Sequence, residues 1–187
     1  MKKIKKALIS VSDKKNLKNL LKILTKYKIS FISSGGTYKE IRKLKFKCME
    51  VSKFTGSPEI LGGRVKTLHP KIHAGILSKR NNLSHKKDLK NNNFDEIDLV
   101  IVNFYPFEKT LEHTNNHLKI IENIDVGGPT MVRAAAKNYN DVAVITSSNQ
   151  YDELINEIEK NKGSTSHKFR EKMSLEAFTE TAYYDAV

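Results

Sequence analysis

Four apolar residues in unbroken succession, Leu99-Val100-Ile101-Val102, make a strand with no face left for water. Such strands sit in parallel sheets covered on both sides. The run spans 98–103, and comparable stretches occur at 6–11, 30–33, 47–51 and 142–146. Helical patterns fill the gaps. In 16–27, Leu17, Leu20, Leu21 and Leu24 fall at i, i+3, i+4 and i+7, the stripe of an amphipathic helix. A short helix is expected from Thr37 to about Leu44, and others at 84–91, 117–123, 129–138, 150–160 and from about His167 to the end. In that last stretch Leu175, Phe178 and Ala182 carry the helical spacing. Strands alternating with helices predict an α/β fold, a mainly parallel sheet wrapped by helices on both faces. Ligands then bind outside the carboxyl ends of the strands.

At 187 residues the chain suits one domain, 1–187, with a core of its own. It has no internal repeat, and the polar stretch 79–93 reads as a surface excursion. The net charge of +12 invites a nucleic-acid or lipid partner. Of the 33 basic residues, however, only five are Arg, and the lysines spread from Lys2 to Lys172. Nucleic-acid readers lean on clustered Arg and stacking aromatics, and neither is grouped here, so nucleic acid is set aside as a partner. The single Cys48 has no mate for an internal disulfide and is expected to be a buried, inert thiol. The apolar part of the N-terminus, Ala7 to Val11, is too short for a signal peptide, and no stretch is long enough for a membrane span. No membrane partner and a cytoplasmic location are therefore expected. The final residues, SLEAFTETAYYDAV, carry no stop signal; they are either a natural terminus or, the reading favoured, a cut beyond which a longer polypeptide continues.

Residues 62–77 read GGRVKTLHPKIHAGIL. Polar and cationic groups crowd a segment whose Gly and Pro forbid a long regular element, as where a chain wraps an anionic small molecule. The plain alternative is a solvated loop in a Lys-rich protein. Because Arg is scarce, Arg64 here and Arg133 further on stand out. Ser33-Ser34-Gly35-Gly36-Thr37, between a strand and a helix, could cradle a phosphate on backbone amides, hydroxyls and a helix N-terminus. It could equally be an ordinary turn. Ser10, Ser12 and Lys14 follow a neighbouring strand and could serve the same anion. Asp125-Val126-Gly127-Gly128-Pro129 opens a helix with Pro in its first turn. That helix carries Arg133 and Lys137 at i and i+4, two cations on one face that need an anionic partner, and an Ala134-Ala135-Ala136 run suited to close packing. Tyr105, in Asn103-Phe104-Tyr105-Pro106-Phe107 at a strand end, is either core or a hydroxyl offered to a ligand. His69 and His73 stand four apart, but Pro70 intervenes and no carboxylate joins them, so no metal site is expected.

Seven segments together resemble a known family: Ser-Val-Ser-Asp-Lys at 10–14, Ser-Gly-Gly-Thr at 34–37, Gly-Gly-Arg-Val-Lys-Thr-Leu-His-Pro at 62–70, His-Ala-Gly-Ile-Leu at 73–77, Asn-x-Tyr-Pro-Phe at 103–107, Asp-x-Gly-Gly at 125–128 and Arg-Ala-Ala-Ala-Lys-Asn at 133–138. In this order they resemble the IMP cyclohydrolase domain, the N-terminal half of the bifunctional AICAR formyltransferase/IMP cyclohydrolase family. The resemblance covers essentially the whole chain. It implies a methylglyoxal-synthase-like three-layer α/β sandwich with a mainly parallel sheet. It also implies a reaction, closure of the formylated AICAR ribotide (FAICAR) to IMP with loss of water, the last step of de novo purine biosynthesis. That chemistry needs no metal or redox cofactor.

The resemblance further implies residue roles. Lys66 with Tyr105 would stabilise the oxyanion, and Asp125 with Lys137 would move protons, the acid and base of that pair being unassigned. Arg64 and Thr67 would hold the base and its carboxamide, with Asn103, Gly127 and Gly128 lining the heterocycle. Ser12, Lys14, Ser34, Gly36 and Thr37 would hold the 5′-phosphate. Pro129 stands where many relatives have a β-branched residue, a change neutral for a helix start. The formyltransferase domain is absent, so this chain alone is not expected to make FAICAR; a homodimer is one compatible assembly. Two rival readings share the fold. A methylglyoxal synthase has no evident use for Gly-Gly-Arg-Val-Lys-Thr-Leu-His-Pro, and a regulatory nucleotide- or phosphate-binding domain has none for Lys66, Tyr105, Asp125 and Lys137 together.

Overall fold

In the computed structural model the described residues are 1–105 and 107–187; Pro106 of the Asn-x-Tyr-Pro-Phe motif and the Lys109 side chain lie outside them. The strands are β1 (Lys2–Lys3), β2 (Lys6–Val11), β3 (Ser30–Ser33), β4 (Met49–Glu50), β5 (Leu99–Asn103), β6 (Ala143–Ile145) and β7 (Ser164–Thr165). The helices are α1 (Leu17–Lys26), α2 (Gly35–Lys43), α3 (Val51–Thr55), α4 (Pro70–Leu77), α5 (Leu83–Asn91), α6 (Phe107–His113), α7 (His117–Glu122), α8 (Gly127–Lys137), α9 (Tyr151–Lys160) and α10 (His167–Ala186). Five strands form one parallel sheet in the order β4-β3-β2-β5-β6, and β1 pairs antiparallel with β7 in a small separate ribbon.

Consecutive residues of a strand point to opposite faces of its sheet. Ala7, Leu8 and Ile9 in β2 and Leu99 to Val102 in β5 are nevertheless all buried, so both faces are covered, as the unbroken apolar runs predict. On one side α8 packs on β5 and β6 and is itself met by α4 and α10; elsewhere α1 packs with α9, and α2 lies against β2 and β3. The leucine stripe of α1 (Leu17, Leu20, Leu21, Leu24) is fully buried.

Three local expectations need correction. The 47–51 stretch extends only over Met49–Glu50, because Val51 and Phe54 sit a turn apart and are both buried by winding into α3. The 62–77 run does contain a regular element. Pro70 opens the eight-residue α4, where its missing N–H costs nothing, and His69 caps it by accepting from the Lys71 N–H at 3.0 Å. In α10 the buried stripe is Phe169, Met173, Ala177 and Thr181, while Leu175 is 71% and Phe178 37% exposed. The stripe runs antiparallel to α8, with Ser174 Oγ donating to the Ala136 carbonyl at 2.9 Å toward one end and Tyr184 meeting Asp125 at the other. Bulkier Leu175 and Phe178 would hold the two helices apart.

Candidate active site

After β2 the chain moves one way to β3 and β4, then crosses to β5 on the other side of β2. Loops leaving the carboxyl ends of β2 and β5 must therefore part, and a crevice opens between them. A cavity of about 790 Å³ lies there. Every expected site residue except Lys137 lines it: Ser12, Lys14, Ser34, Gly36, Thr37, Arg64, Lys66, Thr67, Asn103, Tyr105, Asp125, Gly127 and Gly128.

Some of these side chains build the cavity rather than face a ligand with free groups. Asn103 ends β5 opposite Val11 of β2. Its carboxamide oxygen accepts from the Ser12 and Asp13 N–H groups at 2.6 and 3.0 Å, and its nitrogen donates to the Asp13 carbonyl at 3.0 Å. Asn103 thus ties the two diverging loops together at the point where the crevice begins. Ser12 Oγ donates to the Phe104 carbonyl at 2.8 Å, a second tie between them. Thr37, 4% exposed, donates its hydroxyl to the Val11 carbonyl and accepts from the Val11 N–H, both at 2.9 Å. That hydroxyl is committed, and what Thr37 can offer an anion is its backbone N–H. The N–H groups of Gly35, Gly36 and Thr37 open α2 without intrahelical partners. Ser34 makes no capping bond there, and the space above Gly36 is open.

The facing wall is a tight turn. Leu61, Gly62 and Gly63 all have positive φ (53, 65 and 95°), and an isolated bridge joins Ile60 to Val65. The turn brings Arg64 and Lys66 to the crevice on a short arc of chain. Lys66 Nζ reaches the start of α2, where a methyl group placed on Gly35 would lie 3.5 Å from it, and it pairs with Glu59. Arg64 makes a two-pronged pair with Glu122 of α7, one prong being Nε to Oε1 at 3.3 Å. Glu122 also lines the cavity, and Arg64 beside it holds its carboxyl below the usual range.

The fourth wall is the start of α8. Asp125 Oδ1 accepts from the Gly128 N–H at 2.8 Å. A side chain on Gly128 would put Cβ 2.4 Å from Asp125 Oδ2, and one on Gly127 would put it 2.7 Å from Thr67 Oγ1. A side chain at either glycine would push Asp125 or Thr67 out of its place. Burial pushes the Asp125 carboxyl above its ordinary value, partly offset by the Gly128 and Gly127 N–H groups. Thr67 is buried, and its backbone is hydrogen-bonded by His73 of α4, whose titration burial pushes down. His69, besides capping α4, meets Ser57 Oγ at 3.1 Å through Nε2. Both histidines therefore serve as scaffold for the 62–70 turn.

Lys137 stands apart from the other expected residues. It ends α8 ten residues beyond Gly127, about 15 Å at 1.5 Å per residue, and is exposed away from the cavity. The resemblance pairs it with Asp125, and in this chain the length of α8 separates the two. Arg133 likewise serves packing, its guanidinium lying 5.6 Å from the Phe178 ring centroid. Reading the sequence also missed residues that the fold brings in: Glu59, Glu122, and Tyr184 of α10, whose hydroxyl accepts from the Asp125 N–H at 2.8 Å. None carries a local signal, because each meets its partner only through tertiary packing.

A family model described as MGS-like domain matches residues 16–130, and one described as AICARFT/IMPCHase bienzyme matches 135–187. The chain is 50% identical over 180 residues to the bifunctional purine biosynthesis protein PurH of Prochlorococcus marinus (strain MIT 9301), covering 96% of this chain and 34% of that protein. It is 45% identical over 184 residues to the protein of the same description from Bradyrhizobium diazoefficiens, covering 98% of this chain and 35% of the relative. The chain thus spans about a third of the length of the curated relatives it matches. A solved structure described as the crystal structure of ForH superposes with a TM-score of 0.87 at 31% identity, covering 98% of this chain and 96% of that one.

Proposed function

This chain belongs to the family of MGS-like domains, and we propose that its cavity closes FAICAR to IMP with loss of water. What carries this reading is one crevice at the sheet's switch point that gathers cationic, hydroxyl and carboxyl groups around an amide-rich helix start. The match of 135–187 to the AICARFT/IMPCHase bienzyme supports it from outside the structure.

The nucleophile, a carboxamide nitrogen, and the electrophile, a formamide carbon, share one molecule, so the site has mainly to fold them together. The 5′-phosphate would dock on the N–H groups of Gly35, Gly36 and Thr37, with the Ser34 hydroxyl and Lys14 beside them. Arg64 and Thr67 would hold the base and its carboxamide. As the C–N bond forms, negative charge gathers on the formyl oxygen, where Lys66 and Tyr105 donate. Such donors are worth ~2.7–4 kcal/mol each in comparable sites. The attacking nitrogen gives up one proton and the formamide nitrogen a second, and the formyl oxygen leaves with both as water. Of the two carboxyl groups lining the cavity, Glu122 is paired with Arg64, which leaves Asp125 to carry the proton of the attacking nitrogen, a role typically worth ~10²–10⁴-fold. Asn103 and Ser12 act by holding the crevice open at the right width. Residues 1–187 would work as one cytoplasmic domain, with a formyltransferase domain as the source of FAICAR, a homodimer as one compatible assembly, and no nucleic-acid or membrane partner.

The test is to incubate the purified chain with FAICAR and follow IMP, with dihydroxyacetone phosphate as a parallel substrate. IMP forming well above the spontaneous rate is the expected result. Methylglyoxal instead of IMP would move the chain to the synthase reading. Binding of IMP without turnover of either substrate would make it a regulatory domain.

A further inference from the structure

We infer that Tyr184, near the end of α10, is a positioning residue for Asp125, its hydroxyl fixing the backbone from which that carboxylate projects. The inference rests on the cyclohydrolase reading for its kinetic consequence but not for its geometry. Among the described residues of 107–126 none is fully buried, Asp125 being partly so, and the core does not hold this stretch in place. Its orientation depends on a few tethers, and Tyr184 supplies several of them. The Asp125 N–H donates to the Tyr184 hydroxyl at 2.8 Å. The Tyr184 ring packs on Phe104 with centroids 4.9 Å apart and on Phe107 at 6.1 Å. Phe104 directly precedes Tyr105, so one side chain from the far end of the sequence steadies both stretches that carry polar groups to the reacting atoms. Asp125 is then held from two sides, its N–H by Tyr184 and its Oδ1 by the Gly128 N–H at 2.8 Å. Loss of the first bond frees the peptide to rotate and swings the carboxylate, and a displacement near 1 Å can cost ~10²-fold in rate.

The experiment compares Tyr184→Phe, which keeps the ring, with Tyr184→Ala, whose folding is checked by thermal melting. Two quantities are read on the full chain: kcat and KM with FAICAR, and the backbone amide resonance of Asp125 with its hydrogen-exchange rate. The second needs no substrate and so stands even if FAICAR is not turned over. Tyr184→Phe should lower kcat about ten- to hundredfold with KM changed by less than about threefold. It should also shift the Asp125 amide and speed its exchange, and Tyr184→Ala should do no better. If Tyr184→Phe matches the parent in either the Asp125 amide or kcat while the parent turns over, the hydroxyl holds nothing and the inference fails. If the parent is inactive, an unmoved amide alone overturns it and a shifted, faster-exchanging one supports it.

Discussion

Asp125 is where stability and chemistry pull in opposite directions. Burial holds its carboxyl above the ordinary value near 3.9, and the Gly128 and Gly127 N–H groups offset only part of the cost. An Asp whose folded value is raised lends stability while neutral, and that contribution is lost as pH rises from the unfolded value through the folded one. Above this window the folded protein carries an unfavourable charge. Asp125→Asn keeps a carbonyl for the Gly128 N–H and removes the charge. Its Tm at pH 7 should therefore exceed the parent's, the gain should vanish well below pH ~3.9, and turnover should fall. A lower Tm at pH 7 would contradict the burial account. Cys48, expected to be buried, is only partly so; that burial, with Arg42 opposing, still pushes its thiol up to about 12. The five arginines divide along similar lines. Arg64 faces the crevice, whereas Arg80 donates to the Ser78 and Ile97 carbonyls and ties the end of α4 to the strand side. Scarcity singled out Arg64, which lines the crevice, and equally Arg133, which packs on Phe178, so it does not separate the two.

At the scale of elements, α8 and α10 show how far periodicity reaches. The alanine run of α8 announced close packing, and α10 supplies the partner. Which face of α10 does so was not legible, because spacing by size favours Leu175 and Phe178 over the smaller Ala177 and Thr181 that are buried. The same interface hides Arg170, 2% exposed, which donates to the Tyr139, Thr165 and Asn140 carbonyls at 2.7, 2.6 and 3.1 Å. A charged residue inside a polar stretch of sequence gives no hint of this. Arg170→Met fills much of the volume but leaves those carbonyls short of donors, at ~1–3 kcal/mol for each one left unmet. Urea denaturation should show a loss of about 3 kcal/mol or more; a loss under about 1 kcal/mol would mean that other donors replace it. The arginine therefore anchors α10, and with it Tyr184, against the end of α8.

Across the whole molecule, the strand runs were legible because burial on both faces leaves an unbroken apolar signature, and parallel order followed from the helices between them. The site was legible to the extent that loops after β2, β3 and β5 had to meet at one end of the sheet. Lys137, which the resemblance pairs with Asp125, ends α8 outside the lining of the crevice, and spacing along the chain does not say which residues share a wall. Glu59 and Glu122 were missed because carboxylates that neutralise cations across loops leave no pattern in one chain. The central claim is that the crevice performs ring closure, with Lys66 meeting charge that develops only during reaction. Its most direct test is Lys66→Ala, since the partner Glu59 is partly exposed and the change should disturb the fold little. Turnover of FAICAR should fall ~10²–10³-fold while IMP still binds within about threefold of the parent. Unchanged turnover, or turnover and IMP affinity lost in equal proportion, would contradict it.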